Sequence, residues 1–537
     1  MEHKGKLELT WVGKYDDKVI EPRILMEDRE KSYGDPRSEN MLIHGDNLIA
    51  LQALQQDFAG RIKCIYIDPP YNTGSAFEHY DDNLEHSIWL SLMRQRLILL
   101  RELLSDDGFL CCQIDDSESH YIKVLLDEIF GRNNYLTTLY VRVRYPDKTL
   151  KSDMDFHKEI EQILVYRKYY GAVPNFDYDD VGFEKFIYEV KEIGKGHEEE
   201  IGGKKAIIFT SDEYKIVKKT VGDEYGLKEI WATGTILDGN SSGRFFRDYL
   251  TGRYNTDGYG VMYKIYGIGD DRYDYRYFTG PKKAGATKGK YYQGVPMEKL
   301  ESEEVKRKKP INGFYDMAGN FGNCRHEGGV EFRGGKKPEA LIEMIIRYFS
   351  NEGDWILDSF LGSGSTIATA HKMNRKWIGV ELGEHAYTLC KTRMDNVING
   401  DKTGISKNVN WQGGGGYHFY ELAPSLLVKN KRLPIYQINP EYTFEMLCEA
   451  ICKIEGFKYK PDGVYHGHSS ENRFIHITKE FVNGEYIRSI ATTLGENQSL
   501  LIYSTKVQSD LRLPDNIEVK RIPKDLLDKC TFESEVR

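Results

Sequence analysis

Asp68-Pro69-Pro70-Tyr71 closes the apolar run RIKCIYI. Proline is stiff and carries no N–H, so the pair offers carbonyl acceptors without competing donors. A carboxylate beside rigid carbonyls suits a substrate amino group bearing two N–H donors, and Tyr71 adds a flat face for stacking. A second constellation, Asp358-Ser-Phe360-Leu-Gly362-Ser-Gly364-Ser-Thr366, follows the apolar DWIL and opens a helical stretch. Glycines at such a turn let the backbone approach a ligand closely, and a helix start favours a carboxylate or phosphate. Further on, KWIGVE ends at Glu381, where an acid accepts ribose hydroxyls. The two constellations together point to a nucleoside cofactor held beside a site for an amine. The Gly-Lys-Ser/Thr ending of an ATP-binding loop is missing, which argues against an ATPase or translocase.

These residues need a scaffold, and the surrounding sequence supplies one. MLIHGDN reads as a short strand ending in a Gly45-Asp46 turn, followed by a helical LIALQALQQDF. IWLSLMRQRLILLRELL is an amphipathic helix, FLCCQID and EIEQILVYRK are strands, and HYIKVLLDEIF is a helix between them. After residue 331 the pattern returns as helix KPEALIEMIIRYFS, strand DWILDSF, helix STIATAHKM, strand KWIGVE and helix EHAYTLCKTRMDNVI. GGGG at 413–416 reads as a flexible break. Strands alternating with helices predict a mainly parallel α/β sheet. Residues 1–40 read as a polar surface lead-in, 41–170 and 331–425 as two halves of one sheet domain, and 430–537 as a small α/β accessory or docking module.

The stretch 171–330 differs in character. Between 241 and 300 stand thirteen aromatics, eleven Lys/Arg and six Asp/Glu, a basic block inside a chain of net charge −9. Arg244, Arg247, Arg253, Lys282, Lys283, Lys288 and Lys290 are its candidates for phosphate or base-edge contacts. With 40% hydrophobic and 29% charged residues the chain is of globular composition, not collagen-like or disordered. Its eight cysteines include no C-x-x-C pair, which reads as reduced thiols in a cytosolic protein, not a disulfide scaffold or zinc site. His466, His468 and His476 lack a partner at metal spacing, so no metal is expected. MEHKGKLELTW lacks the apolar core of a secretory signal and no run of about 18 apolar residues occurs, so a cytoplasmic protein without a membrane span is expected.

Asp-Pro-Pro-Tyr paired with Phe-x-Gly-x-Gly resembles the signature of S-adenosylmethionine-dependent DNA amino-methyltransferases, in the permuted order of the beta class. Longer strings resemble the modification (Mod) subunit of type III restriction–modification systems: Met41 to Leu48, Cys64 to Gly74, Ile114-Asp115-Asp116, Glu161 to Tyr166, Lys337-Pro338-Glu339 and Gly413 to Leu422. The resemblance implies a Rossmann-like seven-stranded, mainly parallel sheet interrupted by a target-recognition domain at 171–330. It also implies transfer of methyl from S-adenosylmethionine to the N6 amine of an adenine flipped out of double-stranded DNA.

By that resemblance, Asp358, Phe360, Gly362, Gly364 and Thr366 border the methionine part of the cofactor, Glu381 holds the ribose and Asp46 reads the cofactor adenine. Lys337 and Pro338 close the methionine end. Asp68 and Pro69, with Pro70, receive the target amine, and Tyr71 stacks on the base. A homodimer and a restriction (Res) helicase–nuclease partner are likewise implied. A cytosine-N4 enzyme, an orphan adenine methyltransferase (the chain is shorter than the larger Mod proteins) and a DNA-specificity subunit that mainly targets a partner nuclease are the alternatives.

Overall fold

The computed structural model describes residues 7–16, 19–72, 85–146, 156–180, 182–232, 241–297, 300, 306–332, 335–469 and 472–532. Thr73 and Gly74, the end of the second Mod-like string, lie outside them. The chain divides into two compact units, Met1–Asn175 with Asn312–Arg537, and Phe176–Ile311.

The apolar runs of the first unit form strands β1 (Met41–His44), β2 (Ile62–Ile67), β3 (Leu104–Ile114), β4 (Tyr135–Arg142), β5 (Ile160–Arg167), β6 (Trp355–Asp358), β7 (Lys376–Glu381) and β8 (Gly416–Leu422). Their order across the sheet is β8-β1-β7-β6-β2-β3-β5-β4. The first six are mutually parallel, and β5 alone runs antiparallel to both its neighbours. Short strands Leu25–Glu27, Tyr33–Gly34 and Phe314–Asp316 extend the edges, making an 11-stranded mixed sheet rather than a seven-stranded one.

Parallel strands require helical crossovers and burial of both faces. Helices α1 (Asn47–Phe58), α2 (His86–Leu103) and α3 (Ser119–Leu126) place Leu51, Leu54, Trp89, Met93, Leu97 and Leu125 in one core with Ile65, Ile67, Leu110, Cys112 and Leu357. Alternate strand residues face the other way. Phe109 there meets Phe349 of α4 (Glu339–Phe349), ring centroids 5.1 Å apart. Helix α5 (Ser365–Lys372) follows the glycine turn. Fully buried Glu339 ties α4 to α5 through Lys372 (2.9 Å), and to Arg393 (2.8 Å).

Further sequence expectations change. The segment before residue 40 is not a surface lead-in. Leu25–Glu27 pairs with β8, and buried Glu21 accepts hydrogen bonds from Ser425 Oγ (2.6 Å) and Leu426 N (2.7 Å). The C-terminal segment draws core residues from outside 430–537. Its five-stranded sheet, Lys458–Asp462 through Ile517–Arg521, shares a core in which Ile451, Ile475 and Leu501 pack with Ile24 and Leu427. GGGG is a packed turn: a Cβ on Gly34 would stand 2.3 Å from the Gly415 carbonyl oxygen, an approach only glycine permits. Among the described residues no helix is long and apolar enough to cross a membrane.

The second unit is built on a six-stranded antiparallel sheet in the order His197–Ile201, Lys204–Phe209, Met262–Tyr266, Tyr275–Thr279, Gly289–Gln293, Lys228–Ala232. One face packs on Phe245, Phe246 and Leu250. The other places Phe209, Met262, Tyr277 and Tyr292 against Tyr188, Val190, Tyr214 and Ile216 of a two-stranded hairpin. Part of the tyrosine excess is core, with Tyr263, Tyr277, Tyr291 and Tyr292 buried. Hydroxyls of Tyr263, Tyr277 and Tyr292 donate to Asp257, Glu192 and Glu229, so each ring is buried while its polar tip is paired. The unit's bounds are narrower than 171–330, because Phe314–Asp316 pairs with β4 in the first unit.

Candidate active site

Four neighbouring parallel strands, β1, β7, β6 and β2, deliver acids to one edge of the sheet. Asp46 follows β1, Glu381 ends β7, Asp358 ends β6 and Asp68 follows β2. Each strand is apolar up to that point, so its carboxyl end is where polarity begins. That edge is where α/β sheets bind ligands.

The Asp358 side is a backbone cradle. Asp358, 2% exposed, accepts from Phe360 N (2.9 Å) and Thr366 Oγ1 (2.6 Å), and burial pushes its pKa up to about 7 against those two bonds. Gly362 (φ 56°) and Gly364 (φ 77°) take the left-handed conformation that the turn into α5 requires. Glu381, also buried, accepts Gly362 N (2.7 Å) and Gly383 N (3.0 Å), so it shapes the turn as well as facing it. Ser359 Oγ is buried in this turn with no hydrogen-bond partner among the described residues. Asp46 caps α1 through Leu48 N (2.8 Å) and pairs with Arg96 (3.3 Å). Next to it, Asn47 Nδ2 donates to the Ser359 carbonyl (2.7 Å), joining the two turns. Half-buried Phe360 packs on the core, and buried Pro338 sits at the N-cap of α4.

On the Asp68 side lies a cluster of charged groups. Tyr71 Oη donates to Asp68 Oδ1 (2.6 Å) and lies 2.9 Å from Glu161 Oε2, so one hydroxyl hydrogen faces two carboxylates. Lys337 Nζ lies 2.9 Å from Asp68 Oδ2 and 3.4 Å from Glu161 Oε2, and donates to Tyr71 Oη (3.0 Å). Glu161 also accepts from Gln113, whose own oxygen accepts the Tyr66 hydroxyl. Pro70 is fixed because its carbonyl accepts the Trp89 indole N–H (2.9 Å).

Burial holds Asp68 above the usual carboxylate range, with Lys337 opposing and Glu161 adding to it. Burial acts upward on Glu161 too, yet Lys337, Gln113 and Tyr71 bring it below its usual value. Lys337 loses stability as a charge by burial but gains more from the two carboxylates, which raise its pKa. A cavity of about 770 Å³ opens beside the cluster, lined among others by Glu161, Lys337, Val143, Tyr145, Phe321 and Phe332.

The structure therefore gathers Asp68, Pro69, Pro70, Tyr71, Asp46, Asp358, Phe360, Gly362, Gly364, Thr366, Glu381, Lys337 and Pro338 along one edge, but places Lys337 differently from the sequence expectation. Its carbonyl meets the glycine turn, accepting Ser365 Oγ (2.7 Å), while its ammonium belongs to the Asp68 cluster. Glu161 and Asn47 stand in Mod-like strings but had no site role from sequence, and Gln113 was not singled out. A polar residue inside an apolar strand, as in EIEQILVYR and FLCCQI, was the available signal.

The basic candidates of the second unit separate into two groups. Arg253 is held by Asp257 (2.7 Å) and Glu199 (2.8 Å), Lys290 by Glu229 (2.6 Å), and Arg247 by Asp248 (2.7 Å). Their charges are already matched within the unit. Arg244, Lys282, Lys283 and Lys288 are exposed.

The DNA methylase family profile matches residues 62–392, more than half the chain. The chain belongs to the DNA methylase family. It is 34% identical to the probable type III restriction-modification enzyme HindVI Mod subunit of Haemophilus influenzae, over 78% of this chain and 59% of that protein. It is 26% identical to the type III restriction-modification enzyme EcoPI Mod subunit of Escherichia phage P1, over 75% of this chain and 66% of that protein. The type II methyltransferase M.EcaI of Enterobacter cloacae is 27% identical over 70% of this chain and 75% of that protein. The chain thus spans less than two thirds of the length of either Mod subunit.

Proposed function

We propose that this chain is a site-specific DNA methyltransferase that transfers methyl from S-adenosylmethionine to the N6 amine of an adenine, as the modification and specificity subunit of a type III restriction–modification system. The observation that carries this is the delivery of Asp68 and the Asp358–Thr366 glycine turn to the carboxyl ends of adjacent parallel strands β2 and β6. Family membership and similarity to two Mod subunits support it. The seven strands β1–β7, six of one direction and one reversed, support reading the sheet as the methyltransferase core in the permuted beta order, with the Asp-Pro-Pro-Tyr half first in sequence. We read the second unit as the target-recognition domain, and a homodimer, a Res helicase–nuclease partner and a cytoplasmic location as parts of the same reading. The C-terminal sheet is read as an accessory element.

The residues fit the cofactor. The orphaned Ser359 hydroxyl, the glycine turn and the Glu381 carboxylate offer one donor and several acceptors in a buried cradle, as a nucleoside with a methionine tail needs. Glu381 is assigned to the ribose, Asp46 to the cofactor adenine, and Asp358, Phe360, Gly362, Gly364, Thr366 and Pro338 to the methionine end. When bound, S-adenosylmethionine supplies an electrophilic methyl group.

The chain's own residues prepare the nucleophile. An exocyclic amine is weakly nucleophilic because its lone pair is delocalised into the ring. Asp68 and the Pro69 carbonyl accept its two hydrogens, which favours a tetrahedral nitrogen and localises the lone pair. Pro70's carbonyl is already used by Trp89, so Pro69 supplies the second acceptor. Asp68 takes the proton released as the C–N bond forms, so it need not act beforehand as a strong base. Tyr71 presents its ring to the base, and positioning by the rigid strand ends carries much of the rate.

The test is single-molecule sequencing of DNA from a methylation-deficient host expressing this chain or its Asp68→Ala variant. Methyladenine on one strand of a short asymmetric motif, absent with the variant, is the expected result. A palindromic motif indicates an orphan or type II-like enzyme, and methylcytosine the N4 reaction. DNA binding without any modification leaves a targeting subunit.

A further inference from the structure

Lys337 is the cation paired with Asp68 at the sheet edge. It comes from the segment before α4, lies within 3.4 Å of both Asp68 and Glu161, and donates to the tyrosine hydroxyl that faces the same two acids. Glu161 comes from β5, Gln113 holds it from β3, and it lines the cavity. The other titratable groups facing Asp68 are Tyr71 and Tyr66 from its own segment, Cys112 of β3 and Asp358 of β6. All of those are acids that are neutral or negative, so Lys337 is the cation that offsets the charge of Asp68 among the groups named. With one cation between two buried carboxylates, strengthening either contact weakens the other.

We propose that Lys337 and Glu161 are positioning residues for the transfer step: the ammonium keeps the Asp68 carboxylate ionised and turned toward the substrate amine, and Glu161 limits how tightly that ammonium is drawn to Asp68. This rests on the reading that Asp68 receives the amine. Without Lys337, Asp68 faces Glu161 in a dry site and holds a proton to higher pH, so fewer molecules present an acceptor. Without the Glu161 charge, Lys337 pairs with Asp68 alone, which ionises more readily but accepts less strongly from the amine. A purely structural role predicts loss of rate with no movement of the pH profile. The charge balance predicts movement in opposite directions for the two variants.

The experiment is the pH dependence of kcat/KM for tritiated methyl transfer to a DNA duplex carrying the sequenced motif, a profile that reports groups of the free enzyme. Lys337→Met is expected to move the acid limb up by about one pH unit or more, the size of effect a neighbouring charge has on a carboxyl group. Glu161→Gln moves it down, with a lower plateau, and Lys337→Arg keeps the limb in place even where kcat falls. Limbs that coincide with the wild type in both charge-removing variants overturn the proposal, as does movement of both in one direction. If Lys337→Met does not fold, Glu161→Gln decides alone: a limb that stays or rises overturns the proposal. A wild-type chain that binds DNA and transfers no methyl overturns instead the reading on which the proposal rests.

Discussion

Arg253 in the second unit and Lys337 in the first each sit between two carboxylates, with a tyrosine hydroxyl on one of them. Arg253 bridges Glu199 and Asp257, and Tyr263 donates to Asp257 (2.9 Å). Lys337 bridges Asp68 and Glu161, and Tyr71 donates to Asp68. The difference is in the surroundings. Arg253 is 22% exposed, Glu199 38% and Asp257 11%, so water reaches the Glu199 side of the bridge and screens that part of the surplus negative charge. Lys337 is 8% exposed, Asp68 19% and Glu161 15%, and the site lies beside a cavity of about 770 Å³. There the surplus charge persists as a field that only a proton or a donor on a ligand relieves. A similar charge pattern is scaffolding at a wetter surface and, in the function proposed above, a poised acceptor at a more enclosed strand end.

The most severe break in this comparison is Asp68→Ala. Methyl transfer should fall at least about a hundredfold, while retardation of DNA in a gel stays near the wild type. Lost binding with retained specific activity of the bound fraction would remove Asp68 from the chemistry.

Cutting the cation from each cluster tests the role of surroundings. Lys337→Met leaves two half-buried carboxylates without their cation, though Tyr71 and Gln113 still donate to them, and should cost about 2–3 kcal/mol at pH 8 in urea titrations. That loss should shrink toward pH 5, because Asp68, already raised by burial and now without Lys337, has a folded-state pKa above its unfolded one, and stability falls as pH rises through that window. Arg253→Met should cost about 1 kcal/mol with little pH dependence. Equal losses with equal pH dependence would erase the distinction.

Two smaller effects sharpen it. Glu381→Ala removes the acceptor of Gly362 N and the proposed ribose contact, so the Kd for S-adenosylmethionine should rise about tenfold or more by calorimetry, the scale of one charge-assisted hydrogen bond. In the second unit, Lys282→Ala with Lys283→Ala should lower the slope of log affinity against log salt by about 2, one for each phosphate no longer neutralised. Arg253→Ala should leave that slope unchanged, since its charge is matched internally.

Much of the fold was legible because its signals are local. Apolar runs closed by Pro-Pro, Gly-Asp or Gly-x-Gly turns gave β1, β2, β6 and β7 and the helices between them. What failed depends on distant pairing. Leu25–Glu27 is too short and polar to read as a strand until β8 lies beside it. GGGG reads as flexible until Gly34 is packed against it. That Tyr263, Tyr277 and Tyr292 of the aromatic block are core residues whose hydroxyls find carboxylates likewise depends on distant pairing.

By itself the sequence determined which acids stand at strand ends. Asp46, Asp68, Asp358 and Glu381 stand at or just after the ends of apolar runs, where a strand buried on both faces emerges toward polar surroundings. Tertiary structure decided their company. Lys336 and Lys337 are adjacent and chemically alike, yet Lys336 donates to the carbonyls of Arg325, Glu327 and Val330, while Lys337 turns to Asp68. Tyr71 meets Glu161 across 90 residues and Lys337 across 266. Separations of that length leave no periodic trace in a chain, and only the packing of β5, α4 and β2 around one sheet edge brings those charges within hydrogen-bond reach.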